Sequence, residues 1–94
     1  MKAILLFKER HAIGPKSFAD LCVWKVPEPV RGSTHPFKYR LAFVVDGVCV
    51  LRYDNEQGKG DHLHLGEIET PYAFTTPAQL IADFWADVDQ RKKS

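Results

Sequence analysis

Apolar and polar positions alternate along most of this chain in short blocks, and turn-forming residues separate one block from the next. The first block, Ala3 to His11, ends before Gly14-Pro15-Lys16-Ser17, and the second, Phe18 to Val26, stops at Pro27-Glu28-Pro29. Blocks of this length, bounded by Gly and Pro, read as β-strands. The first also contains good helix formers, but a strand fits better, because Gly14-Pro15 then joins two segments of similar length as a hairpin. Prolines cannot donate to a ladder, so Pro27 to Pro36 is a connection. Phe37 to Val45, Asp46-Gly47 and Val48 to Asp54 then form the clearest feature, a β-hairpin whose two central residues suit a type I′ turn. A shorter strand follows over about Asp61 to Glu67.

After residue 75 the periodicity changes from alternation to a helical stripe. Thr76 suits an N-cap, Pro77 the first helical position and Gln79 a capping box. Leu80, Ile81, Phe84, Trp85 and Val88 fall on one face, with Asp83, Asp87 and Gln90 expected to face water. Arg91-Lys92-Lys93 complements the negative end of the helix dipole. The pattern therefore predicts an α+β fold: a curved antiparallel β-sheet, a meander of about five strands, with one C-terminal amphipathic helix.

Composition narrows the class. The chain has 94 residues, 45% hydrophobic and 27% charged, which suits a single globular domain. No apolar run approaches the roughly 18 residues of a membrane helix, and Ala3 to Phe7 is too short for a signal-peptide core. A cytoplasmic protein is expected. Cys22 and Cys49 lie inside apolar stretches without metal-ligand spacing, so buried reduced thiols are expected ahead of a disulfide. Net charge is only +1; any RNA handling must depend on a local site rather than on a globally basic surface.

Such a site is visible at the far end of the hairpin. A strict register opposes Val45 with Val48, Phe43 with Val50, Leu41 with Arg52 and Tyr39 with Asp54, while Arg40 meets Tyr53 across the other face. Away from the turn both faces become polar together, gathering Lys38, Tyr39, Arg40, Arg52, Tyr53 and Asp54. The loop that follows carries Gly58, Lys59 and Gly60, and a strand after it would put His62 and His64 on one side, with Leu63 and Leu65 on the other. Each of these residues has a plainer reading; Arg40 with Tyr53, for instance, would serve as a cross-strand cation–π pair. Stability alone does not require so many titratable groups where apolar packing stops.

Metal-free RNA cleavage needs a base for the ribose 2′-OH, an acid for the leaving 5′-oxygen and cations for the phosphorane. His62 and His64 suit the proton transfers, with Asp54 or Asp61 orienting a histidine. Arg40, Arg52, Lys59 and Lys38 suit the phosphate, and Tyr39 and Tyr53 can stack on a base or donate a proton. This reading requires no cofactor. The rival use of the same groups is metal ligation by Asp54, Asp61, His62 and His64, opposed by the neighbouring arginines and lysines.

The run Val30 to Leu41, with Val45-Asp46-Gly47, Arg52-Tyr53-Asp54-Asn55 and Gly58-Lys59-Gly60-Asp61-His62-Leu63-His64, resembles the TumE family of small bacterial toxins. Pro71-Tyr72-Ala73-Phe74 and Asp83 to Val88 extend the resemblance over nearly the whole chain. It implies a cytoplasmic toxin neutralised by a cognate helix-turn-helix antitoxin. Many toxins of such modules act on RNA, which makes an endoribonuclease the leading expectation. A metal-dependent nuclease and a non-enzymatic protein that acts by binding a partner are the alternatives. A homo-oligomer is compatible with each of these readings.

Overall fold

The computed structural model describes residues 2–56 and 58–92. Six strands form one antiparallel sheet in plain sequential order: β1 (Ile4–Gly14), β2 (Ser17–Lys25), β3 (Phe37–Val45), β4 (Val48–Glu56), β5 (Gly60–Leu65) and β6 (Ile68–Pro71). A single helix, α1 (Pro77–Lys92), follows. The α+β meander with its C-terminal helix is as the pattern predicts, with one strand more than the expected count. The addition is β6, only four residues long and exposed throughout, so no alternation marks it in the sequence. The sheet is open, with β1 and β6 at its edges.

The turn chemistry sets the frame. Asp46 and Gly47 both take positive φ, 51° and 78°, as a type I′ turn requires. The Thr76 side chain accepts the Gln79 N–H at 3.1 Å, capping the helix.

One face of the sheet carries the core. Ala19, Leu21 and Val23 from β2, Leu41 and Phe43 from β3 and Leu51 from β4 are buried against Leu80, Phe84 and Val88 of α1. Hydrogen bonds hold helix to sheet beside this packing. The Tyr72 hydroxyl donates to Asp83 at 2.6 Å, and the Tyr53 hydroxyl donates to Asp87. Asp83 and Asp87 therefore do not simply face water, because Tyr53 from β4 and Tyr72 just past β6 reach across to them. Gln79 adds a further bond to Asp83 at 2.7 Å. Lys93, of the basic helix end, lies outside the described residues.

The hairpin register departs from the strict alternation. Val45 opposes Val48 and Val44 opposes Cys49, but Phe43 then opposes Leu51, leaving Val50 as the extra residue of a β-bulge. Beyond it Leu41 faces Tyr53, Ala42 faces Arg52 and Arg40 faces Asp54. The expected pairs Leu41 with Arg52, Tyr39 with Asp54 and Arg40 with Tyr53 are thus each displaced by one. The reason is burial. Tyr39, Leu41 and Phe43 point to the helix, and the strict register would put Arg52 and Asp54 beneath it, where unpaired charge is costly. The bulge rotates Leu51 and Tyr53 into the core instead and sends Arg52 and Asp54 to the opposite face. Both cysteines are free thiols, half-buried. Among the described residues no helix is long and apolar enough to cross a membrane.

Candidate functional site

The bulge builds the site. On the sheet face away from α1, Arg52 opposes His64 and Asp54 opposes His62 across β4 and β5. On the next strand Glu69 opposes His64 and Pro71 opposes His62. Arg40 of β3 opposes Asp54 from the other side. Directly opposed residues on one face are within side-chain reach, so six polar side chains face one another there.

His62 is nearly enclosed, its side chain 4% exposed, whereas His64 is 20% exposed. The His62 Nδ1 lies 3.0 Å from the Gly60 carbonyl oxygen; that oxygen only accepts, so Nδ1 carries the proton. His62 Nε2 then meets Asp54 Oδ1 at 2.9 Å. The contact is close but not an aligned hydrogen bond: Arg52 Nε, Asp54 Oδ1 and His62 Nε2 are all buried without a hydrogen-bond partner. Asp54 also meets Arg52 Nε at 3.0 Å through its other oxygen. The Arg52 Nη2 lies 3.0 Å from His64 Nε2; a guanidinium has no acceptor, so His64 accepts there and keeps its lone pair on Nε2. The imidazole rings of His62 and His64 stand edge to face, 4.7 Å apart. Glu69 approaches both, 3.8 Å from His62 Nε2 and 3.9 Å from His64 Nδ1. Beside His62 opens a shallow pocket of about 230 Å³, lined in part by Lys59, Glu69 and Thr70.

Asp54, His62 and His64 can each offer one ligand atom, all within 4.8 Å of one another. Two imidazoles and a carboxylate suit zinc or another borderline transition metal, and the partnerless Asp54 Oδ1 and His62 Nε2 are the atoms such an ion would engage. Against that fit, Arg52 already contacts His64 Nε2 and the second Asp54 oxygen. Its fixed positive charge opposes a second cation.

The structure divides the other expected site residues between the faces. Lys38 is exposed on the Arg40 side of β3, and Lys59 lies at the β4–β5 turn. Tyr39, Tyr53 and Asp61 are on the helix face, as the period of two and the bulge require. None of the three belongs to the histidine cluster, and Asp61 cannot orient His62 or His64, because it is committed elsewhere. It accepts from Ser33 Oγ at 2.5 Å, from His35 Nε2 at 2.6 Å and from the Tyr39 hydroxyl at 2.7 Å. Burial, then the bond to Asp61, pushes the Tyr39 phenol well above its ordinary range. His35 Nδ1 accepts the Phe37 N–H at 3.2 Å, fixing the proton on Nε2, and its ring stacks on Phe74 with centroids 3.7 Å apart. Asn55 completes this lock by bridging Tyr39 N and Phe37 O. A Cβ at Gly32 would stand 2.7 Å from the Gly60 nitrogen, so only glycine lets the connection lie this close to β5. Sequence reasoning missed Glu69 and the His35–Ser33 pair. His35 lies in a proline-flanked connection with no periodicity, and Glu69 in a strand too short to detect.

The sequence profile of the family described as Toxin TumE matches residues 6–92. The chain belongs to the TumE toxin family. The resemblance carried by its central motif is thereby borne out over nearly the whole chain. As a TumE-family protein it is the toxin component of a toxin–antitoxin module, with a cognate antitoxin as partner. No curated protein and no solved structure is similar enough to be matched to it. In this TumE-family chain the stretch from Arg52 to His64 supplies both the histidine cluster of one face and the Asp61 lock of the other.

Proposed function

We propose that this toxin is a metal-independent endoribonuclease of the bacterial cytoplasm, restrained by a helix-turn-helix antitoxin. The observation that carries the reading is the Arg52–Asp54–His62–His64 cluster, with its partnerless buried polar atoms, on a sheet face that the helix does not cover. Native proteins rarely leave such atoms unpaired without a functional reason.

In the reaction the ribose 2′-oxygen attacks the adjacent phosphorus, its proton leaves, and the 5′-oxygen departs with a proton gained, giving a 2′,3′-cyclic phosphate. His64 is the base: Nε2 already holds a lone pair, and it becomes available to the 2′-OH when Arg52 turns from it to the phosphate. His62 is the acid, anchored through Nδ1 to the Gly60 carbonyl, with Asp54 facing its Nε2. Arg52 and Arg40 stabilise the charge that develops on the phosphorane, with Lys59 at the pocket mouth. General acid or base catalysis of this kind contributes about 10²–10⁴-fold each.

The test is cleavage of labelled total RNA by purified protein in EDTA, comparing wild type with His62→Ala/His64→Ala of verified folding. Cleavage by wild type alone is the expected result. If wild type cuts only when a divalent ion is restored, the Asp54–His62–His64 triad is a metal centre instead. If neither condition gives cleavage, the nuclease is abandoned.

A second reading, toxicity by binding a partner, draws on the β1 edge, where Ile4, Leu5 and Leu6 are 59%, 43% and 49% exposed. An unpaired edge with apolar side chains is a template for strand addition. Under that reading the double histidine variant stays toxic and Leu5→Lys does not.

A further inference from the structure

The cross-strand register aligns residues into rows running perpendicular to the strands, and two adjacent rows pass through the histidine cluster. One runs Lys8, Cys22, Arg40, Asp54, His62 from β1 to β5. The other runs Arg10, Asp20, Ala42, Arg52, His64. Along both, charge changes with position: the β5 end carries the histidines, and the β1–β3 end carries Lys8, Arg10 and Arg40. A groove of about 490 Å³ lies at that cationic end, lined by Lys8, Glu9, Arg10, Asp20, Leu21, Cys22 and Arg40. Of its two acids, Asp20 is matched by Arg10 through contacts of 2.6 and 2.8 Å, and Glu9 meets His11 at 2.6 Å. Lys8 and Arg40 add positive charge beside Asp20. Trp24 is half-buried on the same face of β2, next to the row, and offers a flat apolar surface.

We propose that these rows are a track for single-stranded RNA, with Lys8 and Arg10 binding phosphates distant from the scissile one and Arg40 between them and the centre. The inference rests on the ribonuclease reading for its choice of RNA and goes beyond it in naming where the strand lies. From β5 to β1 is four strand spacings, about 19 Å, enough for a handful of nucleotides. Duplex RNA is too stiff and too broad to follow a groove of that size, whereas a single strand can place phosphates on Lys8, Arg10 and Arg40 and a base on Trp24.

The experiment measures binding of a labelled 12-nucleotide 2′-O-methyl RNA, which lacks the attacking hydroxyl and cannot be cut, by fluorescence anisotropy over a salt series. The full-length protein is compared with Lys8→Ala/Arg10→Ala, and with Lys2→Ala/Lys16→Ala as a control of equal charge off the rows. The row variant is expected to bind about tenfold more weakly, with its salt slope lowered by about 1.4, near 0.7 for each lost phosphate contact. The control should match wild type. Equal binding by wild type and the row variant overturns the track, as does absence of binding by wild type or an equally row-dependent affinity for duplex RNA. Binding with the expected pattern in a protein that cuts nothing would end the nuclease reading and leave the track standing. Cleavage with no row dependence would do the reverse.

Discussion

Two histidine–carboxylate pairs, His35–Asp61 and His62–Asp54, meet β5 on opposite faces of the sheet, and the surroundings of each carboxylate give it a different task. Asp61 accepts three aligned hydrogen bonds, from Ser33, His35 and Tyr39, and so ties the connection between β2 and β3 to the sheet. Asp54 touches His62 and Arg52 at 2.9 and 3.0 Å, but neither contact is aligned. A satisfied buried acceptor stabilises; an unsatisfied one is held in place by the fold and is free to change partner. Asp61→Asn turns an amide donor toward groups that donate, and should cost about 2–3 kcal/mol. That is a sizeable share of a small domain's stability, read as a fall in the denaturant midpoint. Asp54→Asn should leave the midpoint nearly unchanged and lower the RNA cleavage rate about 100-fold, since the carboxylate that faces His62 Nε2 and Arg52 Nε is gone. Equal destabilisation by both substitutions would remove the distinction between them.

At the level of the element, the bulge at Val50 decides which residues meet. Deleting Val50 should leave every pairing beyond it intact, because Cys49 and Leu51 then follow one another in strict alternation opposite Val44 and Phe43. The lost carbonyl contact with Gly66 N, 3.1 Å, and the lost half-buried side chain should together cost about 1–2 kcal/mol. Cleavage should survive, measured against wild type after thermal unfolding has fixed the stability loss. The same bulge marks where the sequence stops being legible. Asp46-Gly47 and Thr76-Pro77 announce their elements through backbone chemistry that few other residues supply. Val48-Cys49-Val50-Leu51 is apolar at every position, so no alternation reveals the extra residue, and the faces of Tyr53 and Asp54 are assigned one step wrong. His62 and His64 stay together because their pairing needs only the period of two within β5, and the same period separates Asp61 from them. His35 reaches Asp61 by folding of a connection, a long-range contact that local pattern does not encode.

For the whole molecule, the two sheet faces differ: one is bolted to the helix, and the other is not covered by it. The bolts are tyrosines as well as apolar side chains. Burial first, and then the hydrogen bond to Asp87, raises the Tyr53 phenol above its ordinary value of 10.0. Tyr39 is raised by burial and by Asp61. In the unfolded chain both phenols lose their protons as pH rises through about 10, while in the folded protein both keep them. The unfolded state then binds fewer protons than the native one, so stability is complete below pH 10 and falls above it. Each tyrosine contributes up to about 1.4 kcal/mol per pH unit to that decline. Denaturant unfolding between pH 8 and pH 11.5 should therefore show a flat region followed by a steep loss. Tyr53→Phe starts from lower stability, having lost the bond to Asp87, but declines less steeply, because one of the titrating groups is gone. An identical slope in wild type and Tyr53→Phe would mean that this phenol ionises as easily in the folded protein as in water, and that the tie between helix and sheet does not depend on its proton.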